Sequence, residues 1–207
     1  GIMRNGFLAI FSDVDPADET DYLHWLTREH VQERLSVPGF LAARIFRTQA
    51  GGRGRFFIFY RLRDAGVVAS PGYLARLNAP TPWSQRIMPK LKNFMRGGGV
   101  IVRESAGEGG FAAPVPFARE ALPQYLEAAA GIASADRMAG ARIFETDRAA
   151  SEIATSEKSM RTGDASFEAM LLVEALDERM LASGLAVMQV PERAVYRQIF
   201  ALRRNGA

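Results

Sequence analysis

The chain has 207 residues, 48% of them hydrophobic, a formal net charge of +3 and no cysteine. That length holds one large domain or two of about 100 residues each. The lack of cysteine excludes a disulfide framework, a zinc–thiolate site and a cysteine nucleophile, no apolar run nears the roughly 20 residues of a membrane-spanning helix, and the basic residues are scattered arginines rather than the clustered stripe of a nucleic-acid binder.

Gly6 to Asp13 is short, apolar at consecutive positions and β-prone. It reads as a strand covered on both faces, not as a signal peptide, so the protein is expected to be soluble and cytoplasmic. Asp15 and Pro16 open a helix: the carboxylate can accept from free amides, and proline at the first helical position misses no donor. That helix runs to about Leu35, and Pro38-Gly39 stops it. Phe40 to Thr48 and the aromatic run Arg55 to Arg63 read as a hairpin, turning on the glycines of Gln49 to Gly54. Ser70-Pro71 starts a helix to Leu77, Asn78 to Trp83 breaks it, and Ser84 to Met95 is expected to be a further helical piece around Pro89. Gly97 to Glu104 is a fourth strand. The order is β-α-β-β-α-β, the split βαβ unit of ferredoxin-like folds.

Ala106 to Gly110 is a joint of small residues. Phe111 to Phe117 is a poor strand, confined to an edge by Pro114 and Pro116. A helix follows within Ala118 to Ala133, starting near Leu122 because of Pro123. Strands Ala139 to Thr146 and Ser166 to Leu176, a helix from Asp177 to Met188 and a strand from Ala194 to Arg203 complete a second β-α-β-β-α-β series. Ala-Arg-Ile-Phe occurs at 43–46 and again at 141–144. Together these predict an internal duplication, with residues 1–105 and 106–207 as its two units. The polar segment 147–165 is expected to be disordered or a surface excursion rather than a lid.

Strands apolar on both faces need cover on both sides, which two sheets packed face to face would give. The first unit resembles the EthD-like members of the dimeric α+β barrel superfamily through Trp25, Glu29-His30, Val37-Pro38-Gly39-Phe40, Ser70-Pro71 and Pro80 to Trp83. The resemblance implies an α+β fold in which two ferredoxin-like βαββαβ repeats close one barrel within a single chain. In the second unit it rests only on element order and the repeated tetrapeptide.

On the first helix Leu23, Leu26, Thr27 and His30 share a face at steps of three and four. His30 is therefore expected inward, either as a core imidazole or as a general acid/base. Arg34 follows by four and could meet a carboxylate or enolate, or pair with a protein carboxylate. His24 is expected at the edge of that face, as a structural residue. Trp25, Tyr73 and Trp83 are candidate walls of an aromatic-lined pocket. Arg44 and Arg142, equivalent in the two units, are expected to form ion pairs, with Glu168 or Glu174 as partners, in preference to binding an anion. Ala133 stands where the repeat would place His30, and Ala128 where it would place Trp25, so there is one candidate site rather than two.

The resemblance implies chemistry on a small aromatic or carbonyl metabolite, without a cofactor: isomerisation, cyclisation, decarboxylation or oxygenation. Haem ligated by His30 is weighed, and nothing in the sequence specifies it. The two histidines, six apart on a helix, do not face one metal. The rival reading is a non-catalytic small-molecule binder or an assembly module. Expected partners are a small-molecule ligand and, beyond that, further copies of the chain; neither nucleic acid nor a membrane is expected.

Overall fold

The computed structural model describes residues 4–148, 157, 160, 165–187, 189–190 and 194–205. Eight antiparallel strands close one barrel in the order β1-β3-β2-β8-β5-β7-β6-β4. The first four are β1 (Gly6–Val14), β2 (Phe40–Ala50), β3 (Arg53–Leu62) and β4 (Lys92–Ala106). The others are β5 (Phe111–Phe117), β6 (Met138–Thr146), β7 (Ala169–Ala175) and β8 (Tyr196–Arg203). Read around the barrel, β4-β1-β3-β2 and β8-β5-β7-β6 have the same order. The halves join where β2 pairs with β8 and β4 pairs with β6.

Alternation along the strands makes three layers. Inward positions fill the barrel: Phe7, Phe46, Phe57, Phe59 and Phe144 are all buried there. Phe7 and Phe144 stack at 4.6 Å, and Phe59 meets Phe144 at 5.1 Å. Gly97 leaves room for the Phe167 ring, which an added Cβ would meet at 2.6 Å. The barrel is thus a packed core over most of its length. Outward positions of the first half, among them Leu8, Ile45, Ile58 and Tyr60, face its helices; Leu171 and Val173 do the same in the second.

The first helical layer comprises α1 (Pro16–Trp25), a π turn (Leu26–His30), α2 (Val31–Leu35), α3 (Pro71–Leu77) and α4 (Pro82–Ile87). The second comprises α5 (Leu122–Ala133) and α6 (Glu178–Val187). Ser70, Thr81 and Asp177 cap their helices, accepting from the amides of Tyr73, Ser84 and Met180. Asp15 makes no side-chain cap, contrary to expectation. Its carboxylate is taken by Arg53 and Lys92, each at 2.6 Å. The turn after α2 depends on Gly39, at φ 97°, where a Cβ would press on Val67.

Two further expectations change. Residues 92–95 belong to β4 and not to a helix. Pro89 sits in a short 3-10 turn, and Asn93, at φ 50°, swings the chain into the sheet. β5 is an edge on one side only. All seven of its residues pair with β7, but just Phe111 and Ala112 pair with β8, so Pro114 and Pro116 lie along a half-open seam. In the segment 147–165, residues 149–156, 158–159 and 161–164 lie outside those described. Glu157 is buried, on Arg34, and Met160 packs half-buried against the first helical layer. No helix among the described residues is long and apolar enough to cross a membrane.

Candidate functional site

A change of helical pitch positions the candidate residues. In a straight α-helix a step of four drifts by 40° per turn, so His30 and Arg34 would rotate away from the face begun by Tyr22. The π turn over Leu26–His30 takes one more residue per turn and cancels that drift. Leu26, His30 and Arg34 are therefore all buried, while Glu29 turns aside and accepts from Thr81 Oγ1 at 2.8 Å.

His30 is 6% exposed, and its ring stacks on Trp25 with centroids 4.2 Å apart. The indole is fixed in turn, since its Nε1 donates to Ser84 Oγ at 3.1 Å, which lies 3.0 Å from Thr81 Oγ1. Trp25 thus supports the imidazole rather than lining an open space. His24 is half-buried, at the edge of the face as expected. Trp83 is tied elsewhere: its Nε1 donates to Asp21 at 3.1 Å, and Arg86 lies over its ring at 5.7 Å.

Arg34 is the centre of charge. Its Nη2 donates to both oxygens of buried Glu157, at 2.7 and 2.8 Å, and its guanidinium lies 5.6 Å from the centre of the Tyr73 ring. Burial opposes the charge, but Glu157 outweighs it and raises the guanidinium pKa further, so Arg34 is a fixed cation. The Tyr73 hydroxyl accepts from Arg96 Nη2 at 3.2 Å. Tyr60 and Tyr73 flank Phe40, at 5.5 and 5.3 Å. Burial pushes the Tyr60 hydroxyl pKa well up, partly offset by Arg34, which places the two within electrostatic reach. Among the described residues four buried side-chain atoms lack a hydrogen-bond partner, and two of them are here: Arg34 Nη1 and Tyr60 Oη. A carboxylate oxygen of Glu33 lies 3.5 Å from Arg34 Nη1.

The layer thus joins His30, Trp25, Arg34 and Tyr73 from the sequence reading, while Trp83 packs against it half-buried with its indole tied to Asp21. It adds Tyr60, Arg96 and Glu157, which that reading missed. Tyr60 lay within an apolar strand run and Glu157 within a polar loop, and neither pattern marks a site.

Arg44 and Arg142 face inward at one mouth of the barrel and close on Glu174, as expected for one of the two named carboxylates. Glu168 instead accepts from the Arg119 amide. A cavity of about 570 Å³ opens above Arg44, and another of about 420 Å³ lies between α5 and α6. Neither is lined by His30, Trp25, Arg34, Tyr73 or Trp83.

No family model matches the chain, and no curated protein matches it in sequence. Solved structures do. An anthrone oxidase-like protein superposes with a TM-score of 0.63 at 11% identity, over 100% of this chain and 95% of that one. A candidate monooxygenase from Fusobacterium nucleatum gives 0.59 at 10% identity, over 99% and 96%. A candidate chlorite dismutase gives 0.50 at 10% identity, over 96% of each chain. At such identities the likeness shows the fold, that of the dimeric α+β barrel proteins.

The expectation of a chain without a cofactor is overturned by these neighbours. Chlorite dismutase-like proteins are haem proteins, so the fold admits such a group. His30 is the imidazole weighed as its ligand. His30 is 6% exposed and lines neither of the two cavities, so the residues as arranged leave no room for haem beside it. No group of three or more metal-ligating side chains occurs among the described residues.

Proposed function

We propose that the layer between the sheet and the helices of residues 1–105 receives a small aromatic or carbonyl-bearing molecule, and that the protein is an enzyme moving a proton on it. The carrying observation is the pair of buried donors, Arg34 Nη1 and Tyr60 Oη, that have no hydrogen-bond acceptor among the described residues, Arg34 Nη1 having only the Glu33 carboxylate at 3.5 Å. Buried donors are nearly always paired, and an unmet one costs about 1–3 kcal/mol. Two such donors, one of them on a fixed cation, suit a ligand oxygen that becomes negative during reaction.

In this reading His30 takes the proton from a carbon or hydroxyl next to the ligand's carbonyl. The electron pair left behind moves onto the oxygen, which Arg34 and Tyr60 hold as enolate or phenolate. Tyr73, with Arg96 on its hydroxyl, and Trp25 set the shape of the site. Isomerisation and cyclisation can proceed from that anion, oxygenation can do so with dioxygen as co-substrate, and decarboxylation reaches the same anion by losing carbon dioxide in place of the proton. The neighbours' names, anthrone oxidase-like and candidate monooxygenase, describe those proteins and agree with such chemistry.

The chain is taken as two fused ferredoxin-like units, 1–105 and 106–207, the first EthD-like. The matching strand orders and the paired roles of Arg44 and Arg142 support this. The second unit has Ala128 and Ala133 in place of Trp25 and His30, so one site is expected. The stacked, buried state of His30 favours a rival, a binder without turnover. Deuterium exchange at the acidic carbon of aryl ketones, followed by NMR, separates the two. An enzyme accelerates the exchange, and His30→Gln abolishes it while binding persists. Binding without accelerated exchange in the wild type leaves only the binder.

A further inference from the structure

The register of three adjacent strands sets two rows of side chains at the barrel mouth. Ala42 on β2 lies opposite Arg61 on β3 and opposite Arg203 on β8. One inward position along β2, Arg44 lies opposite Phe59 and Ala201. Two cross-strand rows result: Arg61, Ala42, Arg203 and then Phe59, Arg44, Ala201. Strands lie about 4.8 Å apart, so Arg61 and Arg203 stand roughly 10 Å apart across a single alanine. All six residues line the cavity of about 570 Å³, whose lip carries the exposed Leu176.

The charges beneath this cavity are nearly balanced. Glu104 serves Arg61 and Arg142, Glu174 serves Arg142 and Arg44, and Glu108 lies 2.8 Å from Arg44 Nε. Three cations thus meet three carboxylates, and Arg203 is the surplus, with no ion pair among the described residues. Glu108, with its side chain 40% exposed, is the one of the three carboxylates that lines the cavity. It comes from the joint 107–110, not from a strand, so it is the one free to yield Arg44 to another acid.

We propose that this cavity binds a small organic carboxylate, its charge between Arg203 and Arg61 over Ala42 and its apolar body on Ala201, Phe59 and Leu176. The volume suits a ligand of that size, and an apolar floor with a few convergent cations is the form such sites take. Of the two arginines that flank Ala42, Arg203 brings the unneutralised charge, while Arg61 already donates through both terminal nitrogens to Glu104; the Arg44–Glu174 pair beneath them is structural.

The test uses benzoate as probe, with neutral benzamide and inorganic phosphate beside it, followed by NMR of the Ala42 and Ala201 methyls and by calorimetry. Saturable benzoate binding that moves both methyls is expected, with benzamide inert. Arg203→Gln should weaken it about tenfold, the scale of one charge-assisted hydrogen bond. Glu108→Gln should tighten it ~3-fold by removing a competing carboxylate. Tyr60→Phe, which alters the other site, should leave it unchanged. Benzoate binding that survives Arg203→Gln intact, or that fails to saturate, overturns the proposal. Phosphate binding more tightly than benzoate overturns the assignment to an organic acid.

Discussion

Arg44 Nη2 lies 2.6 Å from Oε1 of Glu174, a pair that joins β2 of one half to β7 of the other with the carboxylate fully buried. Arg142 reaches the second oxygen at 2.7 Å, and the Gly109 amide adds a bond at 3.1 Å. Removing one partner of a buried pair strands the other charge. Glu174→Gln should therefore destabilise by about 3–5 kcal/mol, with lower midpoints in both urea and heat. A midpoint within error of wild type would show that the network contributes no stability.

Acid should unfold the protein from the carboxylate range downward. Arg61 leads the groups that hold Glu104 below its ordinary value, with Arg142 adding to it. Burial raises Asp13, but Arg55 and Asn93 bring it lower on balance. A carboxylate with a depressed folded pKa stabilises above its unfolded value and loses that contribution as pH falls through the folded one. Stability should be flat near neutrality and decline below about pH 4.5. Arg61→Gln should make the decline shallower. An identical acid profile in that variant would contradict the cause assigned to Glu104.

The Arg34–Glu157 pair bridges the two halves of the sequence and should be strongly coupled. Arg34→Met and Glu157→Met are each expected to destabilise by about 3–5 kcal/mol. The double variant should cost clearly less than the two together, by a coupling of ~1–3 kcal/mol in urea denaturation. Additive losses would mean that the residues act separately.

The strand order of each half was legible from apolar runs bounded by glycine and proline, because burial on both faces leaves a pattern. So was the fate of Arg44 and Arg142, since equivalent inward arginines in a closed barrel must find carboxylates. The site was only half legible. Steps of four brought Leu26, His30 and Arg34 onto one face, but the π turn that keeps them there has no signature in this sequence. Tyr60 differs from its strand neighbours by a single hydroxyl, and no local pattern says that the hydroxyl lacks a partner. Glu157 is brought to Arg34 from 123 positions away by tertiary packing, which periodicity does not encode. Residues 92–95 were misread because nothing after Pro89 in the run from Ser84 marks a stop, whereas the chain turns extended at Leu91 and enters β4 at Lys92.

If Tyr60 and Arg34 hold a ligand oxygen, as proposed, Tyr60→Phe should alter ligand-induced stabilisation. Thermal melting of wild type and variant would be compared with and without a saturating aryl ketone. An unpartnered buried hydroxyl is a liability in the free protein, so the account predicts that free Tyr60→Phe melts at the same temperature as wild type or higher. The ketone should raise the melting temperature of wild type and raise that of the variant much less. A variant that melts lower when free, yet gains as much from the ketone as wild type, would contradict the account and make Tyr60 an ordinary core residue.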